Sequence, residues 1–143
     1  MVTSEQAFQR MLDKWGVKSF TAKEFFFRGG SDAKLQLNTD PPAALWPNME
    51  RTAKTLQEAR NRLGKPIRIT SAYRDAAYNR KIGGVANSTH VQFNAVDLVT
   101  AQPASLYLVL LDLRREGLFK GGLGLYRSFV HLDSRGHNAT WRR

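Results

Sequence analysis

Three histidines, His90, His131 and His137, and no cysteine set the terms for metal chemistry in this chain of 143 residues. A zinc site here must be built from imidazole and carboxylate, and a catalytic zinc takes three protein ligands and leaves one position open. The lack of thiols also excludes a disulfide framework and a cysteine nucleophile. His90 ends a stretch rich in small residues, and Asp97 follows within Ala95-Val96-Asp97-Leu98-Val99. That spacing does not place both on one face of a strand. It suits one ligand at the end of a loop and a second on the strand the loop feeds. In Phe129-Val130-His131-Leu132-Asp133, strand alternation puts Phe129, His131 and Asp133 on one face and Val130 and Leu132 on the other. A carboxylate flanked by Val96 and Leu98 is costly unless a cation or donors meet it. Spacing alone leaves the ordinary alternatives open, since strand histidines are commonly satisfied core or surface residues and strand aspartates commonly salt-bridged. No short motif such as His-Glu-x-x-His fixes the set.

The elements that must position these side chains are readable from pattern. Thr3 with Gln6 forms a capping-box signal before Phe8, Met11, Leu12 and Trp15, which share a helical face, and Gly16 stops the helix. Thr21 with Glu24 repeats the signal before Phe25-Phe26-Phe27. Arg28 to Pro47 is rich in Gly, Asp, Asn and Pro and is expected to be an extended surface loop. Met49, Ala53, Leu56, Ala59 and Leu63 keep helical spacing up to Gly64. Ile67 to Thr70 reads as a strand. Ser71 to Thr89 reads as an irregular loop with a helical turn near Ala76–Arg80, and Ala95–Val99 as a second strand. A helix is expected from about Pro103 to Gly117. Gly122–Tyr126 and Phe129–Asp133 then pair as a hairpin through Arg127-Ser128, and the tail after Gly136 is polar and basic apart from Trp141. The expected class is α+β, a largely antiparallel sheet with flanking helices, forming a single domain over 1–143.

Three blocks carry a family resemblance. Ile69-Thr70-Ser71-Ala72-Tyr73-Arg74, with Tyr78-Asn79 and Gly83-Gly84 after it, resembles the first block of the zinc D-alanyl-D-alanine carboxypeptidase-like peptidases. Ser88-Thr89-His90 followed by Ala95-Val96-Asp97 resembles the second, and Phe129 to Asp133 the third. They arrive in the family's order between about Lys65 and Trp141, and the second and third are closest to a subgroup common in phages and bacterial genomes. The resemblance implies a Hedgehog-type α+β fold, one zinc ion, and hydrolysis of peptide bonds in peptidoglycan. His90, Asp97 and His131 match the ligand positions. Arg74 matches the arginine that holds the carbonyl oxygen or a substrate carboxylate. Ser71, Tyr73, Asn79 and Ser88 match recurrent positions that shape the loop.

Two departures stand out. Many relatives carry Gly three residues after the first ligand, where this chain has Phe93, so a ring either narrows the site or fills core beneath it. Relatives also carry an acidic residue or histidine just before the last ligand as general base, where this chain has Ser128 and Phe129. Asp133 is the nearest replacement, either as a catalytic group or as a partner that orients a ligand, and the second role is preferred. His137 is a further candidate, with a surface histidine as the plainer reading.

Twenty-two Lys and Arg against twelve Asp and Glu give a net charge of +10, which favours encounter with polyanions such as an anionic cell wall or nucleic acid. The basic residues are scattered and do not alternate with aromatics, so no specific nucleic-acid partner is expected, although a basic nucleic-acid-binding protein stays as one rival reading. The other rival is a module on the same fold that grips wall peptide or a partner protein without turnover. Residues 1–15 have no continuous apolar run and no segment is long enough to span a bilayer. The expected setting is synthesis in the cytoplasm and action on the cell wall, by phage-type release, virion delivery or a bacterial remodelling route, as a monomer with peptidoglycan peptide as substrate.

Overall fold

In a computed structural model of the protein, residues 1–28 and 38–143 are described. Nine of the twenty residues of the Arg28–Pro47 stretch expected to be a loop, 29–37, therefore lie outside them. Within its remainder the chain is not a loop throughout, because Ala43–Met49 forms a 3-10 helix that buries Trp46 and Met49. The expectation fails there because Pro41, Pro42 and Pro47 read as breakers, whereas proline is tolerated ahead of and within such a short tight turn.

Five α-helices and five strands make up the rest of the described elements. Helix α1 (Ser4–Trp15) is capped as its sequence specifies. Gln6 N–H donates to Thr3 Oγ1 (3.1 Å), Thr3 N–H donates to Gln6 Oε1 (2.9 Å), and Gly16 ends the helix at φ 78°. Short helix α2 (Ala22–Phe25) carries the second capping box, and α3 (Glu50–Leu63) ends at Gly64 in the left-handed region. Strand β1 (Arg68–Ser71), helix α4 (Ala76–Lys81), strand β2 (Ala95–Val99), helix α5 (Pro103–Arg115) and strands β3 (Gly122–Leu125) and β4 (Val130–Asp133) follow in order. The tail then adds β5 (Ala139–Arg142), a strand the sequence reading lacks.

The strands form one sheet in the order β1-β2-β4-β3-β5, antiparallel except for the parallel β3–β5 pair. The fold is α+β with a largely antiparallel sheet. Register sorts the sheet into two faces. Ile69, Val96, Leu98, Leu123, Val130 and Leu132 are buried with the helix side chains, and α5 packs on β3 and β4. On the opposite face one row of paired positions crosses all five strands: Ser71, Asp97, His131, Gly124 and Trp141. Because side chains alternate along a strand, apolar neighbours turned into the core force these polar residues together on the other face. No helix among the described residues is long and apolar enough to cross a membrane.

Phe93 fills core. Its ring is fully buried, 5.7 Å from Phe8 and 6.2 Å from Tyr73 between ring centroids. It is also the one non-glycine residue among those described with positive φ, at 57°. A glycine at this position would meet the backbone requirement without strain, and here a buried ring compensates for it.

Candidate metal centre

His90 is placed by the loop that leads into β2. Its backbone N–H donates to Ser88 Oγ (3.1 Å), and its carbonyl accepts from the N–H of Arg74 (3.2 Å) and of Phe93 (3.2 Å). Its ring Nδ1 lies 2.8 Å from the Ala72 carbonyl. A carbonyl only accepts, so Nδ1 carries the proton and Nε2 presents a lone pair. That Nε2 is buried without a hydrogen-bond partner. It stands 3.2 Å from Asp97 Oδ1, close enough for an ion pair but out of line for a hydrogen bond.

Asp97 comes from the centre of β2 and His131 from the paired position on β4. Asp97 Oδ1 also lies 3.1 Å from His131 Nδ1, while Oδ2 accepts from Arg74 Nη2 (3.3 Å). Burial pushes the Asp97 carboxyl up, but the two imidazoles within 3.2 Å, with the hydrogen bond to His131 among their contacts, outweigh this and hold it far below the usual carboxylate range. The other His131 nitrogen, Nε2, lies 2.7 Å from Asp133 Oδ2. Burial disfavours the charged His131 ring, yet Asp133 and Asp97 together raise its pKa above the ordinary histidine value.

One ligand atom from each of His90, Asp97 and His131 lies within 4.8 Å of the others, and all three residues are buried. Donors around a tetrahedral zinc with bonds of about 2.0–2.1 Å stand roughly 3.4 Å apart, close to the separations from Asp97 Oδ1 to the two imidazoles. An unprotonated His90 Nε2 facing a carboxylate oxygen is repulsive unless a cation lies between them. The donor set and the unpartnered nitrogen therefore fit a zinc ion.

Asp133 sits on the side of His131 away from Asp97 and is fully buried. It accepts from the N–H of Gly122 (2.8 Å), from Arg135 Nη2 (2.7 Å), and from the Arg135 backbone N–H (3.1 Å). Burial pushes its carboxyl up, and these donors with His131 hold it far below the usual range. Arg74 lies beside the cluster, with Nη1 3.4 Å from Asn79 Oδ1. Its loop is clamped by Asn38, whose Nδ2 donates to Tyr73 O (2.7 Å) and whose Oδ1 accepts from Asp75 N–H (2.9 Å). Asn79 is buried and donates to Val85 O (2.7 Å), and Gly84 leaves the space that its amide occupies. Ser71 pairs with Asp97 across β1 and β2. Ser128 and His137 are exposed, and neither lines the cleft above the cluster.

That cleft has a volume of about 350 Å³. Its lining includes residues 83–85 together with Tyr126, Phe129 and Trp141. A model of the family described as Peptidase M15 matches residues 18–133, 116 of the 143 residues. This chain belongs to the peptidase M15 family. No curated protein matches it. The M15 assignment brings with it a zinc peptidase of the D-alanyl-D-alanine carboxypeptidase-like kind, and the cluster supplies a donor set for the ion.

The M15 match ends at Asp133, yet Arg135, Trp141 and Arg143 line the same cleft. Sequence reasoning missed these three and Tyr126. One signal was present, the alternation Gly122-x-Gly124. Two glycines on one face of a strand mark a place where something approaches the backbone closely.

Proposed function

We propose that this M15 peptidase hydrolyses a peptide bond of bacterial peptidoglycan, with His90 Nε2, Asp97 and His131 Nδ1 as zinc ligands. The observation that carries the metal site is the buried, unpartnered His90 Nε2 facing the Asp97 carboxylate. Bound zinc would supply Lewis acidity that polarises the scissile carbonyl and acidifies water.

The remaining roles belong to this chain's side chains. Ala72 O fixes the His90 tautomer and Asp133 fixes that of His131, so both rings keep a lone pair aimed at one point. Arg74 neutralises the second Asp97 oxygen and presents its remaining N–H groups to the cleft. A planar guanidinium there suits the carbonyl oxygen or a carboxylate of a wall peptide. Among the described residues, the cleft lining carries Arg74, Arg135 and Arg143 and one side-chain carboxylate, Asp97. Peptidoglycan peptides are rich in free carboxylates, and the net charge of +10 favours approach to an anionic envelope. A phage lysin, a virion-associated wall enzyme and a bacterial wall remodeller all suit this reading.

The test is mass spectrometry of peptidoglycan digested by the zinc-loaded protein, with chelator and His90→Ala controls. New peptide ends that disappear in both controls are the expected result. A protein that binds zinc and wall peptide but cuts no bond would replace the enzyme reading with a binding module. One observation favours that second reading: among the described residues, no side-chain carboxylate or imidazole outside the proposed ligand set lines the cleft. DNA retention that is salt-sensitive and survives His90→Ala, without wall cleavage, would favour the nucleic-acid reading instead.

A further inference from the structure

The geometry points to Tyr126 as a substrate-contacting hydrogen-bond donor of this site, positioned by Trp141 and directed at the oxygen of the peptide carbonyl under attack. This rests on the peptidase reading above and assigns a residue that the metal cluster does not include.

Register supplies the first part of the argument. Gly124 on β3 pairs with His131 on one side and with Trp141 on the other. A Cβ on Gly124 would overlap the Trp141 indole. Without one, the indole reaches across β3 and lies 5.2 Å from the His131 ring between centroids. The Arg135 guanidinium covers the indole at 5.3 Å. Trp141 is thereby fixed beside a proposed zinc ligand.

The second part is the direction of a proton. An indole N–H only donates. Trp141 Nε1 donates to the Tyr126 hydroxyl oxygen at 2.9 Å, so the phenol accepts on that side and its own proton must point elsewhere. The phenol ring cannot turn away freely, because it stacks on Phe129 with centroids 4.2 Å apart and planes 8° from parallel. Tyr126, Phe129 and Trp141 all line the cleft above the metal cluster.

The third part is access. Of the other hydroxyls that the described residues bring to the lining, Thr89 lies 3.4 Å from Asp133 as a donor, and Ser88 accepts from the His90 backbone while buried at 5% exposure. Tyr126 is half-buried, so among the described residues its hydroxyl is the accessible one in the lining whose proton is not directed to a protein acceptor. A preorganised donor of this kind acts where charge grows on the carbonyl oxygen as water adds to the carbon. The phenol lends a hydrogen bond and keeps its proton, so no group transfer is assigned to it.

Tyr126→Phe removes the donor and keeps the stacked ring, and Trp141→Phe removes the N–H that orients the phenol together with part of the aromatic surface beside His131 and Arg135. On the bond identified by mass spectrometry, Tyr126→Phe is expected to lower kcat about 100-fold with KM changed by less than about threefold. It should weaken a phosphinate analogue of that bond by a similar factor, about 100-fold, since the tetrahedral oxyanion is what the donor meets. Trp141→Phe is expected to lower kcat about tenfold, with zinc content unchanged. In zinc-free protein, the Trp141 indole N–H resonance, assigned by its loss in Trp141→Phe, should shift and exchange faster with solvent in Tyr126→Phe. An active wild type whose Tyr126→Phe variant keeps kcat and phosphinate affinity within about threefold overturns this inference and leaves the peptidase reading standing. An unmoved indole resonance overturns it as well. A zinc-loaded wild type that cuts no wall peptide overturns both.

Discussion

Asp133→Asn is the sharpest single test of how the metal centre is held. The side chain is fully buried and accepts from six donors: His131 Nε2 at 2.7 Å, Gly122 N–H at 2.8 Å, Arg135 through Nη2 (2.7 Å), Nε (2.9 Å) and its backbone N–H (3.1 Å), and the Thr89 hydroxyl at 3.4 Å. An amide has nearly the same shape but one acceptor and two donors. If its oxygen stays with Gly122, its NH2 faces His131 Nε2–H and the Arg135 guanidinium, donor against donor. If it flips, the Gly122 N–H loses its acceptor.

Two magnitudes follow. Loss of an outer carboxylate that orients a ligating imidazole costs about 10–100-fold in metal affinity, or about 1.4–2.8 kcal/mol. Breaking a buried ion pair by removing one partner costs about 3–5 kcal/mol, and the Arg135 side chain, 27% exposed, recovers part of that by turning to water. About 2–3 kcal/mol of lost stability corresponds to a Tm lowered by roughly 5–10 °C in a domain of this size. Zinc affinity is measured by competition with a chromophoric chelator, and stability by thermal unfolding in excess chelator, so the two effects separate. A variant that keeps zinc affinity within about twofold and Tm within about 2 °C would refute the argument that Asp133 orients His131.

Three further outcomes are expected. At Phe93 the usual order of substitutions should reverse, with Phe93→Gly more stable than Phe93→Ala by about 1 kcal/mol, because only glycine adopts φ 57° without strain. Both should fall about 2–4 kcal/mol below wild type from the lost ring, as urea unfolding would show. Gly124→Ala drives a methyl into the Trp141 indole, so it should cost about 1–3 kcal/mol by denaturant unfolding and shift Trp fluorescence while leaving zinc affinity within about threefold. Zinc affinity should fall with pH. Burial opposes the proton on His131, but Asp133 and Asp97 raise its pKa overall, so zinc must displace that proton below the folded value. The loss approaches tenfold per pH unit for one proton, and calorimetry in buffers of different ionisation enthalpy reads the proton released.

What was legible in the sequence is what local chemistry dictates. The capping boxes at Thr3 and Thr21 and the stops at Gly16 and Gly64 involve neighbours three or four residues apart, so type and spacing suffice. The pairing of His131 with Asp97 was approachable because the absence of cysteine left few ligand types, and polar residues interrupting apolar strands must meet something. Strand β5 was not legible. Ala139-Thr140-Trp141-Arg142 is a four-residue edge strand with only alternate half-buried positions, and it exists because it pairs parallel to β3. The Tyr126–Trp141 contact was hidden for the same reason, since it depends on β5 pairing with β3, and the Trp141–His131 contact crosses β3 over the side of Gly124 that lacks a Cβ. Phe93 was visible as a departure, but its answer, ring in the core and backbone in the left-handed region, depends on Phe8 and Tyr73 from distant elements.

The charges around the cluster bear on what the cleft will accept. Among the described residues, Asp97 and Asp133 are the two carboxylates in contact with the imidazoles proposed as ligands, and each is matched by a guanidinium, Arg74 at 3.3 Å and Arg135 at 2.7 Å. That inner set is close to neutral, so a dication held there leaves a surplus of two positive charges beside a lining that includes Arg143. Carboxylates that spent their charge on the ion alone would blunt its pull on a carbonyl, whereas here the arginines already share them. The same surplus penalises cationic peptides and favours those bearing free carboxylates near the scissile bond. Arg143 lies on the rim, so its share of that preference should weaken with salt. The share of Arg74, whose side chain is only 19% exposed, should persist.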